Sequence, residues 1–140
     1  MLSAKILVVE DERIIAQDLK VRLQRLGYQV TGVASSGEEA VREAESGQPD
    51  LILMDLALKG DMDGVEAARI IQERRKVPVI YVTAYTTDAR LQQERVAKPY
   101  GYILKPFQEL ELQTAIEHML QSRATPVAGG AGESGRTTAA

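Results

Sequence analysis

Glu10 and Asp11 follow the apolar run Ile6 to Val9, Asp55 follows Leu51 to Met54, and Lys105 lies in the segment Gly101 to Phe107. Each of these runs reads as a buried strand. A parallel sheet would carry all four charged groups to its carboxyl edge, where open α/β sheets place their ligands. Three carboxylates and one ammonium group converging there can hold a divalent cation beside an anionic phosphoryl group. The chemistry expected of such a site is phosphoryl transfer.

The elements that must position these residues alternate regularly. Ile6 to Val9 is a continuous aliphatic run, the pattern of a strand covered on both faces. From Glu12 onward Ile15, Leu19, Leu23 and Leu26 recur at helical spacing, and Gly27 stops the pattern. Tyr28 to Ala34 predicts a second strand. Ser36 caps a helix with Glu38 and Glu39 in its first turn, Ala40, Val41 and Ala44 inward, and Gly47 as its end. Pro49 introduces a third strand over Asp50 to Met54. After a loop from Gly60 to Gly64, Val65 to Arg75 is helical with Val65, Ala68 and Ile71 inward, and Val77 to Val82 is a fourth strand. A weaker helix is expected over Thr87 to Val96, a fifth strand over Gly101 to Leu104, and a last helix over Glu109 to Gln121 with Leu112, Ile116 and Leu120 on one stripe. Five strand and helix pairs joined by right-handed crossovers put helices on both faces of a doubly wound α/β sheet and gather the loops after the strands at one edge. Residues 124–140 change character to Gly, Ala, Ser and Thr, a flexible tail or truncated linker with too little apolar surface to offset its ordering entropy.

Composition narrows the function classes. The 140 residues, 44% of them apolar, suffice for one domain with a core. Seventeen Lys and Arg against 20 Asp and Glu give a net charge of −3 with no basic cluster, which argues against direct nucleic-acid binding. There is no cysteine and a single histidine, His118, so a bound metal would be a hard cation on oxygen ligands. No apolar stretch is long enough to cross a membrane and no signal segment precedes the first strand, so a cytoplasmic location is expected.

Glu10-Asp11 after the first strand, Asp55-Leu-Ala-Leu-Lys-Gly-Asp-Met-Asp-Gly64 after the third, Thr83-Ala84 after the fourth and Tyr102-Ile-Leu-Lys105-Pro106-Phe107 at the fifth together resemble the receiver domain of two-component response regulators. Each motif alone is commonplace; the set, in this order and on these elements, is specific. The resemblance covers roughly residues 4 to 123, implying a receiver domain over 1–123 and a flavodoxin-like sheet of strand order 2-1-3-4-5 with five helices.

The resemblance implies that Asp55 is the phosphoacceptor, taking a phosphoryl group from a phosphohistidine on a histidine kinase or a histidine phosphotransfer protein. A carboxylate, already ionised near neutral pH, needs no general base for this. It further implies Mg²⁺ (or Mn²⁺) bound directly by Asp11 and Asp55, by Glu10 through water and by the carbonyl of Ala57. Lys105 and Thr83 would meet phosphoryl oxygens, Pro106 would follow a cis peptide, and Thr83 with Tyr102 would form the switch. The readout surface would be the helix over 87–96, the fifth strand and the last helix, bound by an output protein or domain not identified by the sequence. Ala57 and Tyr85 flank the path of a hydrolysing water and lack the acid or amide that would orient it, so slow autodephosphorylation is expected. Glu-Asp replaces the commoner Asp-Asp pair, and the loop after Asp55 is one residue longer than the frequent form and lacks its proline.

Plainer readings stand beside these. Glu10-Asp11 alone suits a helix N-terminus, Asp61 and Asp63 suit loop and helix-start chemistry, His118 suits an exposed helix face, and Met54 suits the core. A free-standing receiver acting by protein contact, an isolated fragment of a larger regulator or sensor kinase, and a Mg-dependent aspartyl-phosphate phosphohydrolase all remain open. The last class carries an acid two residues after its nucleophile, where this chain has Ala57. The mixed charges of Arg90, Glu94, Glu109 and Glu111 would support either a phosphorylation-dependent homodimer or a heterologous contact.

Overall fold

Aliphatic runs too short for helices and apolar on both sides pair best inside a covered parallel sheet. A computed structural model, describing residues 3–83 and 100–124, shows that arrangement. The elements are β1 (Lys5–Val9), α1 (Arg13–Arg25), β2 (Gln29–Ala34), α2 (Gly37–Gly47), β3 (Leu51–Asp55), α3 (Gly64–Arg74), β4 (Val79–Thr83), β5 (Tyr100–Leu104) and α4 (Glu109–Ala124). The strands form one five-stranded sheet in the order β2-β1-β3-β4-β5, every neighbouring pair parallel. The helix expected over 87–96 and the tail lie outside the described residues, apart from Ala124, which ends α4.

Side chains alternate across the sheet and divide the core in two. On one face Leu7, Val9, Ile52, Met54, Val79 and Tyr81 pack with Ala40, Ala44, Val65, Ala68 and Ile71 of α2 and α3. On the other, Ile6, Val8, Leu51, Leu53, Ile80 and Val82 pack with Leu19, Leu23, Leu112 and Ile116 of α1 and α4. This is the doubly wound fold expected, with Met54 fully buried and His118 exposed.

Three local differences from the sequence reading have physical causes. Tyr28 precedes β2 instead of opening it; its N–H closes the α1 turn on the Leu23 carbonyl and its hydroxyl reaches Glu117 at 2.5 Å. The β2 register slips opposite Ile6 and Leu7, passing over Thr31. Such a slip disrupts the alternation of an edge strand. Gly47 does not provide the left-handed stop of α2, which is Gln48 at φ 46°. Its role is close approach: a Cβ there would lie 3.2 Å from Cβ of Thr31. Gly27, at φ 99°, does end α1 as expected.

Candidate functional site

At the carboxyl edge the backbone ladder continues one residue past the strands. The N–H groups of Glu10, Leu56 and Lys105 donate to the carbonyls of Ala34, Val82 and Thr83 at 2.9, 3.3 and 2.8 Å. With Val9 opposite Met54, Asp55 opposite Val82 and Thr83 opposite Leu104, the register sets Glu10, Asp55, Thr83 and Lys105 side by side on fixed main chain.

Polar groups avoid interiors unless something holds them. Among the described residues the buried polar or charged side chains are Glu10, Asp55 and Thr83, at 2%, 6% and 5% exposure. All three stand at this edge. One carboxylate oxygen from each of Glu10, Asp11 and Asp55 lies within 4.8 Å of the others. Main-chain donors hold each acid: Glu12 N–H on Glu10 Oε2, Lys59 N–H on Asp11 Oδ2 and Ala57 N–H on Asp55 Oδ1, all at 3.1 Å. Lys105 Nζ lies 3.4 Å from Glu10 Oε1 and 4.0 Å from Asp55 Oδ1. Burial pushes the Glu10 carboxyl up to about 7, and the charge of Asp55 adds to the effect against the opposing Glu12 N–H and Lys105 ammonium.

The loop from Leu56 ends at Asp63, whose carboxylate caps α3 by accepting the Glu66 N–H at 2.9 Å. Asp63 therefore does helix-start chemistry. The next residue, Gly64, lies so close beneath β3 that a Cβ there would fall 2.5 Å from the Asp55 carbonyl oxygen.

The structure brings Glu10, Asp11, Asp55, Ala57, Thr83 and Lys105 into one cleft of about 300 Å³. The Lys105–Pro106 peptide is cis. Tyr102 stands apart on β5, 37% exposed, and Tyr85, Arg90 and Glu94 lie outside the described residues. Of the acids considered for a partner surface, Glu109 accepts from Arg25 at 2.8 Å and Glu111 from the Gln108 N–H at 2.8 Å. Both carboxylates have internal partners. The cleft is also lined by Glu12, Ile15 and Lys59, which sequence reasoning did not assign to the site, Ile15 being read there as part of the helical stripe. Lys59 was open to notice as the one cation in the loop after the acidic strand end, but the path of that loop is set by tertiary contacts.

The family model for the response regulator receiver domain matches residues 6–117. This chain belongs to that family. The receiver is 37% identical over 113 residues to the transcriptional regulatory protein PdtaR of Mycobacterium tuberculosis, covering 81% of this chain and 55% of that protein. The chain thus spans about half the length of the curated relatives it matches. Among solved structures, it resembles the signal receiver domain of a modulated diguanylate cyclase from Desulfovibrio desulfuricans G20, with TM-score 0.81, 36% identity and coverage of 88% of this chain and 98% of that one. It also resembles the receiver domain of the sensor histidine kinase PA1611 from Pseudomonas aeruginosa PAO1, with TM-score 0.75, 33% identity and coverage of 86% and 100%. That structure has a magnesium ion coordinated in its active site cleft. Receiver domains are signalling modules of two-component systems, and this chain has their parallel fold and acidic cluster. No helix of the described residues is long and apolar enough to cross a membrane.

Proposed function

We propose that this receiver accepts a phosphoryl group on Asp55 and converts it into a change of protein-binding surface. The observation that carries the reading is the placement of Asp55: buried, with Lys105 Nζ 4.0 Å away and two further carboxylates clustered with it. A carboxylate oxygen of Asp55 attacks phosphorus of a phosphohistidine on a kinase or phosphotransfer protein. The P–N bond breaks, and the imidazole leaves with its electron pair. Lys105 holds a phosphoryl oxygen from the β5 side and Thr83 donates its hydroxyl to another.

The donor set fits a divalent cation, since every candidate ligand is an oxygen and the acids already converge. Asp11 and Asp55 would bind Mg²⁺ (or Mn²⁺) directly, with Glu10 through water and the Ala57 carbonyl completing the set. Bound there, such an ion would offset carboxylate repulsion and the charge of the transferring oxygens. The chain itself supplies acceptor, lysine and hydroxyl, so it assists its own phosphorylation and turns over no outside substrate.

The output is a population shift. Thr83 drawn toward the phosphoryl group makes room for Tyr102, and the surface of β5 and α4 presents a new face to its partner. About 1.4 kcal/mol of bias changes the state ratio tenfold. The domain is assigned to residues 1–123, with 124–140 as tail or linker. The span of about half of each relative also supports a second reading, in which this receiver regulates a further output domain.

Acetyl phosphate or beryllium fluoride with Mg²⁺ tests the central claim. The parent protein should be labelled and Asp55→Asn should not; equal labelling of both would remove Asp55 as the acceptor.

A further inference from the structure

We infer that Lys59 is a second phosphate-facing cation of the cleft, which receives the incoming anionic donor at the exposed side before Lys105, resting on the buried acids, takes its phosphoryl oxygen. The inference rests on the phosphoacceptor reading of Asp55. Glu10, Asp11, Glu12 and Asp55 line the cleft together with the ammonium-bearing Lys59 and Lys105, so four acids face two bases. A divalent cation would only balance that set, and a dianionic phosphoryl donor must still approach it. Lys105 is drawn inward, nearer to buried Glu10 at 3.4 Å than to Asp55 at 4.0 Å. Lys59 is differently placed. It is exposed, and among the described residues none of the ion pairs involves it.

Its position is fixed by its own backbone. The Lys59 N–H donates to Asp11 Oδ2 at 3.1 Å, which ties the loop after β3 to the acidic pair after β1. That tether does not involve the side chain, so a substitution at Lys59 removes the ammonium group and leaves the tether. An exposed lysine lining a cleft attracts anions and raises their encounter rate, and this effect weakens with salt. In the labelling step a P–O bond forms between Asp55 and phosphorus while the P–O bond to the acetyl group breaks, and acetate leaves with the electron pair. Lys59 stabilises the anion before and during this exchange.

The test uses the full chain with Lys59→Ala, Lys59→Glu and Lys59→Arg. Mg²⁺ affinity is measured by titration calorimetry, and Asp55 labelling by acetyl phosphate is timed at saturating Mg²⁺ and low salt. The expected result is a labelling rate about three- to tenfold lower for Lys59→Ala, the scale of one part-exposed charge. The rate should be lower still for Lys59→Glu and near parental for Lys59→Arg, with Mg²⁺ binding unchanged or tighter in the Ala and Glu variants. Parental labelling by Lys59→Ala would overturn the assignment. So would equal losses in Lys59→Arg and Lys59→Ala, or Mg²⁺ affinity falling in step with rate, since each would mark loop shape as the cause. A parent that is not labelled would instead refute the acceptor role of Asp55.

Discussion

Gly64 packs against the main-chain carbonyl of Asp55 so closely that a methyl group added there would lie 2.5 Å from that oxygen. Something must move to admit it, and the neighbour is backbone. Gly64→Ala should destabilise the fold by about 1–3 kcal/mol and slow labelling of Asp55 by acetyl phosphate, because the strain falls on the acceptor. Gly60 is a contrasting control: at φ 103° with open space around it, Gly60→Ala should cost about 1 kcal/mol and leave labelling near parental. Denaturant melts and labelling time courses on the two variants would separate strain at the acceptor from general loss of stability.

Carboxylate crowding at the site should make it a source of instability when no cation is bound. In chelator, Asp55→Asn should be more stable than the parent by about 1 kcal/mol, several degrees in Tm. Saturating Mg²⁺ should raise the parent by roughly 2.7 kcal/mol at a hundred times its dissociation constant and raise Asp55→Asn less. Thermal melts with and without Mg²⁺ check both, and a parent Tm indifferent to Mg²⁺ would contradict the cation site.

The acyl phosphate should be long-lived. Ala57 lines the cleft two residues after Asp55 and offers no side-chain group to orient a water. Decay followed by phosphate-affinity electrophoresis should take longer than about a minute, and Ala57→Asn, alone or with Tyr85→Glu, should hasten it. Loss of label within seconds from the parent would defeat this expectation.

Thr83 and Tyr102 should separate phosphorylation from its consequence. Thr83→Ala should still be labelled by acetyl phosphate but should fail to move the Tyr102 ring, which is 37% exposed here. Ring resonances followed by NMR with beryllium fluoride report this directly: a Tyr102 shift in the parent that persists in Thr83→Ala would refute the coupling.

The start of α2 offers a pH test remote from the site. Ser36 Oγ accepts the Glu39 N–H at 3.1 Å, and Glu39 Oε1 accepts the Ser35 N–H and hydroxyl at 2.8 and 3.0 Å. The Ser35 N–H, with its hydroxyl adding, holds the Glu39 carboxyl below its usual value of 4.5. That stabilisation is present above pH 4.5 and lost as pH falls through the depressed folded value. Glu39→Gln should therefore flatten the acid limb of a stability profile, whereas Ser36→Ala should cost about 1 kcal/mol at every pH. Urea melts across the acid range distinguish the two.

Sequence pattern exposed the strands and the groups at their ends, because a continuous run such as Leu51 to Met54 can be covered on both faces only in a sheet like this one. It also exposed Asp63 as a cap, since the local preference and the tertiary role agree. What it hid depends on distant segments meeting. Gly47 was legible as a helix end but not as the place where Thr31 comes close. Gly64 was legible as turn chemistry but not as the floor under Asp55. The bond from Lys59 to Asp11 crosses 48 residues and that from Tyr28 to Glu117 crosses 89, distances over which no local periodicity carries information.

The ladder bonds that continue past β1, β3 and β5 have an evolutionary consequence. Glu10 and Lys105 are each anchored by a main-chain N–H, so the backbone there is held whatever polar side chain it carries, whereas Leu56 is also fixed by its place in the core. A descendant could exchange its acids or its lysine and drift into a receiver that binds partners without being phosphorylated. Selection for folding alone would not resist that change, so only use keeps the phosphoryl site intact.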